Sequence, residues 1–146
     1  MAIPKIIKLE YYSDDRGYLV PLTNGLKKII RKEIKRTYVL ENYGKGTIRG
    51  FHFHKNEIKI FHVVHGAAKF IAINPKRPEK DRYIFTTSNH CPQLVIIPPG
   101  YANGWVSLED NTIIVALSTS TFEESVNDDI RYDPYKWGDV WKVMER

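Results

Sequence analysis

Two imidazoles one residue apart, His52 and His54, and the ammonium of Lys59 are the side chains of this chain best suited to moving protons. They lie in the stretch Ile48 to Gly66, which carries four of the five histidines. Imidazole titrates at about pH 6.5, so at neutral pH it can take a proton and give it back. A fixed ammonium stabilises an oxyanion best where water is excluded. His-x-His on a strand is also a common way to present two nitrogen donors to Fe, Mn, Ni or Zn, provided that other ligands complete the set.

Positioning such groups requires strands. Bulky and β-branched residues flank the polar Lys55-Asn56 pair, which predicts two strands joined by a turn. Side chains alternate along a strand. His52 and His54 are therefore expected to point one way and Phe51 and Phe53 the other, with Lys59, Phe61 and Val63 sharing a face of the next strand. Further strands are expected at Lys5 to Glu10, Tyr18 to Val20, Lys35 to Leu40, Ala67 to Ile73, Arg82 to Thr86, Gln93 to Ile97, Asn103 to Ser107 and Thr112 to Ser118. Gly- and Pro-bearing turns such as Asp15-Arg-Gly17 and Pro98-Pro-Gly100 separate them. Leu26 to Arg36 has near-helical apolar spacing and a basic face, and the tail from Tyr135 either holds a short helical turn or lies against the rest. Many short strands with regular turns predict an all-β sandwich or jelly-roll barrel.

The 146 residues suit a single domain (1–146) with one core. A net charge of +5 admits phosphorylated ligands, but no nucleic-acid-binding motif accompanies the basic stretch before Arg36, and no nucleic acid partner is expected. Cys91 is the single cysteine, so no intrachain disulfide forms and a reducing cytoplasm fits. No apolar run approaches membrane-spanning length, and Met-Ala-Ile-Pro-Lys lacks a signal-peptide core, so no membrane association is expected. His62 and His65 fall outside the catalytic pattern and are read as structural, and His90 as a surface residue. The tryptophans Trp105, Trp137 and Trp141 are read as core or dimer contacts.

The layout around the histidines resembles the cupin family, in which His-x-His, Glu and a later His after Pro-x-Gly ligate a metal. Here Lys59 stands at the Glu place and Asn103 at the His place. Two of four ligands are replaced and one replacement would repel a cation, so no metal and no other cofactor is expected. More specifically, Asp15-Arg-Gly17, Arg49-Gly-Phe-His52, Lys59, Pro99-Gly-Tyr-Ala-Asn-Gly-Trp105 and Ile130-Arg-Tyr-Asp-Pro134 resemble, in order and approximate spacing, motifs of the dTDP-4-dehydrorhamnose 3,5-epimerase family. That resemblance implies an RmlC-like cupin jelly roll, a homodimer, acting on a nucleotide-linked 4-keto-6-deoxyhexose, with dTDP as the expected nucleotide.

The resemblance makes His52 the base that takes a proton made acidic by the C4 ketone, and Lys59 the cation that holds the enolate oxygen. Arg49 and Arg16 would meet the diphosphate and nucleotide, with Asn103, Tyr38 and Tyr101 completing the substrate-binding set. The family's acid, a tyrosine, falls near Ala116, which leaves Tyr38, Tyr43 and Tyr101 as candidates. The Asp that partners the base is expected to be missing from this shorter chain. A sister group, the sugar 3,4-ketoisomerases, has Arg-Gly-x-His-x-His-Lys, matched by Arg49 to Lys55, and there His52 and His54 would share acid–base duty. A third reading is a non-catalytic cupin that binds sugar nucleotides.

Overall fold

The computed structural model describes residues 2–144. In chain order its strands are β1 (Lys5–Lys8), β2 (Tyr12–Asp14), β3 (Gly17–Leu19), β4 (Arg36–Asn42), β5 (Ile48–Phe53), β6 (Lys59–His65), β7 (Ala67–Ile73), β8 (Arg82–Ser88), β9 (Gln93–Ile97), β10 (Ala102–Ser107), β11 (Thr112–Ser118) and β12 (Ile130–Arg131). Two short helices, α1 (Leu26–Ile29) and α2 (Phe122–Asn127), lie outside the sheets. One sheet has the order β1-β9-β6-β11-β4 and the other β12-β5-β10-β7-β8, while β2 and β3 form a separate hairpin. The two antiparallel sheets face each other as a jelly-roll barrel, the fold class that the turn spacing predicts.

The strands on either side of the Lys55-Asn56 turn are not partners. β5 pairs with β10 and β12, whereas β6 pairs with β9 and β11 in the facing sheet. The turn between them is thus a crossover, and it brings His52 and Lys59 to the interior from opposite walls.

Alternation along β6 sends Phe61 and Val63 between the sheets, against Phe70, Val95 and Trp105. Ile60 points to the outer side, where Leu26 and Ile30 close over it. The basic stretch is therefore a single helical turn plus an extended run, held down by its apolar residues. On the other sheet, Phe51 faces outward beneath the tail, 4.7 Å from the Trp141 ring and 5.0 Å from Trp137 between centroids. Covering Phe51 outside is what turns His52 inward.

Trp141 stays in place through its indole N–H, which donates to the Pro134 carbonyl at 2.8 Å, and through glycine below it. A Cβ on Gly104 would lie 2.5 Å from the Arg49 carbonyl oxygen and 2.8 Å from the Trp141 ring. Glycine is needed here for close approach of β10 to β5 and the tail. The expected result of Trp141→Ala is a loss of about 3–5 kcal/mol, the usual cost of deleting a buried aromatic ring, read from the shift of the urea unfolding midpoint.

Candidate active site

A pocket of about 300 Å³ opens between the sheets. Tyr38 and Lys59 reach it from the first sheet, and Arg49, His52 and Asn103 from the second, over a floor that includes Phe61 and Trp105. Five of the eight residues singled out from the sequence thus meet in one cavity: His52, Lys59, Arg49, Asn103 and Tyr38.

The other three do not line it. Arg16 sits on the exposed β2–β3 hairpin, paired with Asp14. Tyr101 precedes β10 and is buried in the core, 5.7 Å from the Tyr83 ring between centroids, so it contacts protein instead of the cavity. His54 lies one residue beyond the end of β5, where strand alternation no longer governs its direction. It is buried behind the pocket, with Nδ1 3.1 Å from Glu57 Oε2 and Nε2 3.6 Å from Asp129 Oδ1. Neither approach has hydrogen-bonding geometry. Tyr43, also considered as an acid, is on the surface. His62 and His65 each bond a backbone carbonyl, of Gln93 at 3.1 Å and Asn111 at 2.9 Å.

The sequence predicts no carboxylate partner for His52, and the structure supplies one. Asp129 Oδ1 and Oδ2 lie 3.0 and 3.2 Å from His52 Nδ1. With Nδ1 tied to a carboxylate as donor, Nε2 carries the lone pair, as a general base requires. Asp129 arrives there because α2 ends just before it. That helix opens with a reciprocal cap, in which Glu124 N–H donates to Thr121 Oγ1 and Thr121 N–H to the Glu124 carboxylate. Past its end, Asp128 accepts the backbone N–H groups of Lys55 and Asn56 at 2.9 and 2.8 Å, so it pins the crossover turn beside His52. The available signals were the Thr121-x-x-Glu124 pattern and the position of Asp129 directly before Ile130-Arg-Tyr-Asp-Pro134.

Other side chains fix the remaining groups. Asn103 donates to the backbone carbonyls of His52 (3.0 Å) and Tyr101 (3.3 Å), which locks β10 to the strand carrying His52. Arg49 donates to Asn42 Oδ1 at 2.7 Å and to the Glu41 carbonyl at 2.9 Å. The Arg36 guanidinium lies 4.8 Å from the Tyr38 ring centre. Among the described residues, no group of three or more His, Cys, Asp or Glu side chains is placed to hold a metal ion.

Burial shifts the charges of the site in opposite senses. It lowers the Lys59 ammonium from its ordinary value, against the fields of Glu57 and Asp129. It raises the Tyr38 phenol, and Glu57 raises it further while Arg36 opposes. Burial alone would raise Asp129, but hydrogen bonds from Arg131 and His52 outweigh it and hold that carboxyl below the ordinary range. His54 is lowered to about 4, chiefly by burial and next by Lys59. An unfolded chain binds a proton at this histidine below about pH 6.5, whereas the folded one binds it only near 4. Stability is therefore expected to fall as pH drops through that window, seen as a declining thermal midpoint, and the decline should be shallower in His54→Gln.

Comparison with known proteins agrees with this architecture. The family model for dTDP-4-dehydrorhamnose 3,5-epimerase matches residues 3–145. A protein of that description from Methanothermobacter thermautotrophicus is 27% identical over 148 residues, covering 94% of this chain and 78% of the relative. Among solved structures, dTDP-4-dehydrorhamnose 3,5-epimerase from Bacillus anthracis, with TDP and PPi bound, superposes with a TM-score of 0.81 at 21% identity. That match covers 97% of this chain and 86% of the other. A sugar 3,4-ketoisomerase from Thermoanaerobacterium thermosaccharolyticum, in complex with TDP, gives 0.73 at 22%, covering 88% of each chain. The matched span takes in both sheets, the pocket between them and the segment that delivers Asp129, and on that basis the chain belongs to the dTDP-4-dehydrorhamnose 3,5-epimerase family of isomerases.

Proposed function

We propose that the protein is a metal-independent epimerase of a nucleotide-linked 4-keto-6-deoxyhexose, with dTDP as the nucleotide and C3 as the principal centre. The observation that carries this reading is the His52–Asp129 pair facing Lys59 across the pocket. In this mechanism His52 Nε2 removes the proton at C3, which the C4 ketone acidifies. The electron pair moves into the ring carbon–carbon bond and leaves negative charge on O4, where the Lys59 ammonium receives it. A proton returned to C3 from the opposite side inverts the centre.

Tyr38 supplies that proton in our reading. Ala116, at the family's tyrosine place, is paired with Tyr38 across the β4–β11 ladder, so the phenol enters from the neighbouring strand. It stands on the sheet opposite His52, as delivery to the other sugar face requires. Its raised affinity for a proton keeps it in the acid form.

Two observations weigh against the alternatives. Shared duty between His52 and His54, as a 3,4-ketoisomerase would need, fits poorly with a His54 that is buried outside the pocket and holds a proton only near pH 4. An oriented base and a half-buried lysine in one cavity speak against a binding protein with an eroded site.

The substrate's place would be in deoxysugar and surface-polysaccharide synthesis in the cytoplasm, by a single-domain protein. A homodimer that pairs or exchanges N-terminal strands would give a role to the exposed β2–β3 hairpin, with Arg16 at its tip and Tyr11 stacked on Tyr18.

Proton NMR of dTDP-4-keto-6-deoxyglucose in deuterated buffer tests the reaction. The expected outcome is enzyme-dependent deuterium entry at C3, abolished in His52→Ala and reduced about 10²–10⁴-fold in Asp129→Asn, the range for a general base. Tyr38→Phe should retain exchange at C3 yet accumulate little inverted product, because removal of the proton precedes its return on the other face. Formation of a 3-keto sugar would replace this reading with the ketoisomerase.

A further inference from the structure

One ionisable side chain in this region has no part in the mechanism above. Glu57, in the crossover turn, has a side chain with no exposed surface. Its carboxylate is nevertheless tied to three separate elements. Ser118 Oγ of β11 donates to Oε1 at 2.5 Å, Ser125 Oγ of α2 to Oε2 at 2.7 Å, and Arg36 Nη2 of β4 to Oε1 at 3.2 Å. His54 lies 3.1 Å from Oε2. A buried ion pair of this kind is weak evidence for stability, since apolar side chains often fill such a place as well or better. Two of its neighbours lead back to the pocket: Arg36 stacks on Tyr38, and His54 stands between Glu57 and Asp129. Lys59 begins β6 two residues further on, and its ladder partner Ser118 is itself a donor to Glu57.

We infer that Glu57 is a positioning residue of the active site: its buried carboxylate holds Arg36 against Tyr38 and sets a negative charge behind Lys59, in the half-buried place where the enolate oxygen is to be received. The catalytic part of this inference rests on the epimerase reading; the electrostatic part does not. Burial lowers the lysine, and Glu57 is the strongest of the charges that oppose it. The groups around Lys59 are Arg36 and Tyr38 from β4, His52 and Arg49 from β5, His54 and Glu57 from the turn, and Asp129 from the segment after α2. Its partners across the ladder, Ser118 and Ile97, are neutral. Glu57 and Asp129 are thus the two negative charges on this lysine, and Asp129 is already engaged by His52 and Arg131.

The test is titration of Lys59 by NMR in protein carrying ¹³Cε-labelled lysine, with the resonance assigned through Lys59→Arg, in the unaltered chain and in Glu57→Gln, Glu57→Asp and Arg36→Met. In Glu57→Gln the midpoint is expected to fall by about one pH unit or more, a tenfold change in the proton equilibrium. It should stay near the original in Glu57→Asp, which keeps the charge. It should rise in Arg36→Met, which removes a cation from beside both Glu57 and Lys59. The alkaline limb of C3 exchange should move with the midpoint, with kcat lowered and KM little changed. A purely structural Glu57 would lower the yield of folded protein without moving the titration.

An unchanged midpoint in folded Glu57→Gln overturns the inference. If that variant does not fold, the double variant Glu57→Gln/Arg36→Met, which leaves no unpaired cation against the turn, takes its place: a midpoint lower than in Arg36→Met alone sustains the inference, and one equal to it overturns it. Should the unaltered protein catalyse no exchange while the midpoint still falls in Glu57→Gln, the epimerase reading fails and the hold of Glu57 on Lys59 stands.

Discussion

The contact between Asp129 and His52 joins residues 77 apart in sequence, and most of what surrounds the pocket bears on making it. A histidine acts as a base with a defined lone pair only if its other ring nitrogen is held. That hold needs two things here. Phe51 must be covered on the outside so that His52 turns in, which the tail achieves with Trp137 and Trp141. The segment after β11 must also return to the second sheet, which α2 and the pairing of Ile130 and Arg131 with Phe53 and His52 achieve. Asp128 then ties the same segment to the turn beyond β5. One short stretch, Asp128 to Arg131, therefore fixes His52, its strand and the turn at once.

The pocket also shows how one small cavity favours two opposite protonation states. Burial penalises charge, so it pushes the Lys59 ammonium towards losing its proton and the Tyr38 phenol towards keeping its own. In the proposed proton transfer to a carbanion the second effect is useful and the first is not. Carboxylates near the lysine oppose the first without cancelling it, while Arg36 works against the second. Charges behind the pocket thus act on the groups lining it, although Glu57, Asp129 and Arg36 are not among the lining residues.

Much of this was legible in the sequence. The strands and turns followed from β-branched runs punctuated by Gly and Pro, and the cavity's principal groups, His52 and Lys59, from their types and spacing. Tyr38 and Asn103 were legible only through the family resemblance, Asn103 at the family's His place and Tyr38 as a candidate for its missing tyrosine. Strand alternation misplaced His54, since β5 ends at Phe53 and the chain turns away before the next inward position. Tyr101 was a candidate for the acid by its residue type, and its ring packs in the core instead.

Local chemistry is what the sequence by itself determined: which segments are extended, where the chain must turn, and which side chains can exchange protons near neutral pH. The tertiary structure alone decided that β5 and β6 lie in facing sheets, that Ala116 is answered by Tyr38 on the next strand, and that Asp129 and Glu57 close in behind the histidines. The physical reason is that a strand's pattern specifies its two faces but not its partner. Pairing is settled by burying all the faces together, and a carboxylate far along the chain becomes the partner of a histidine only once that packing is complete.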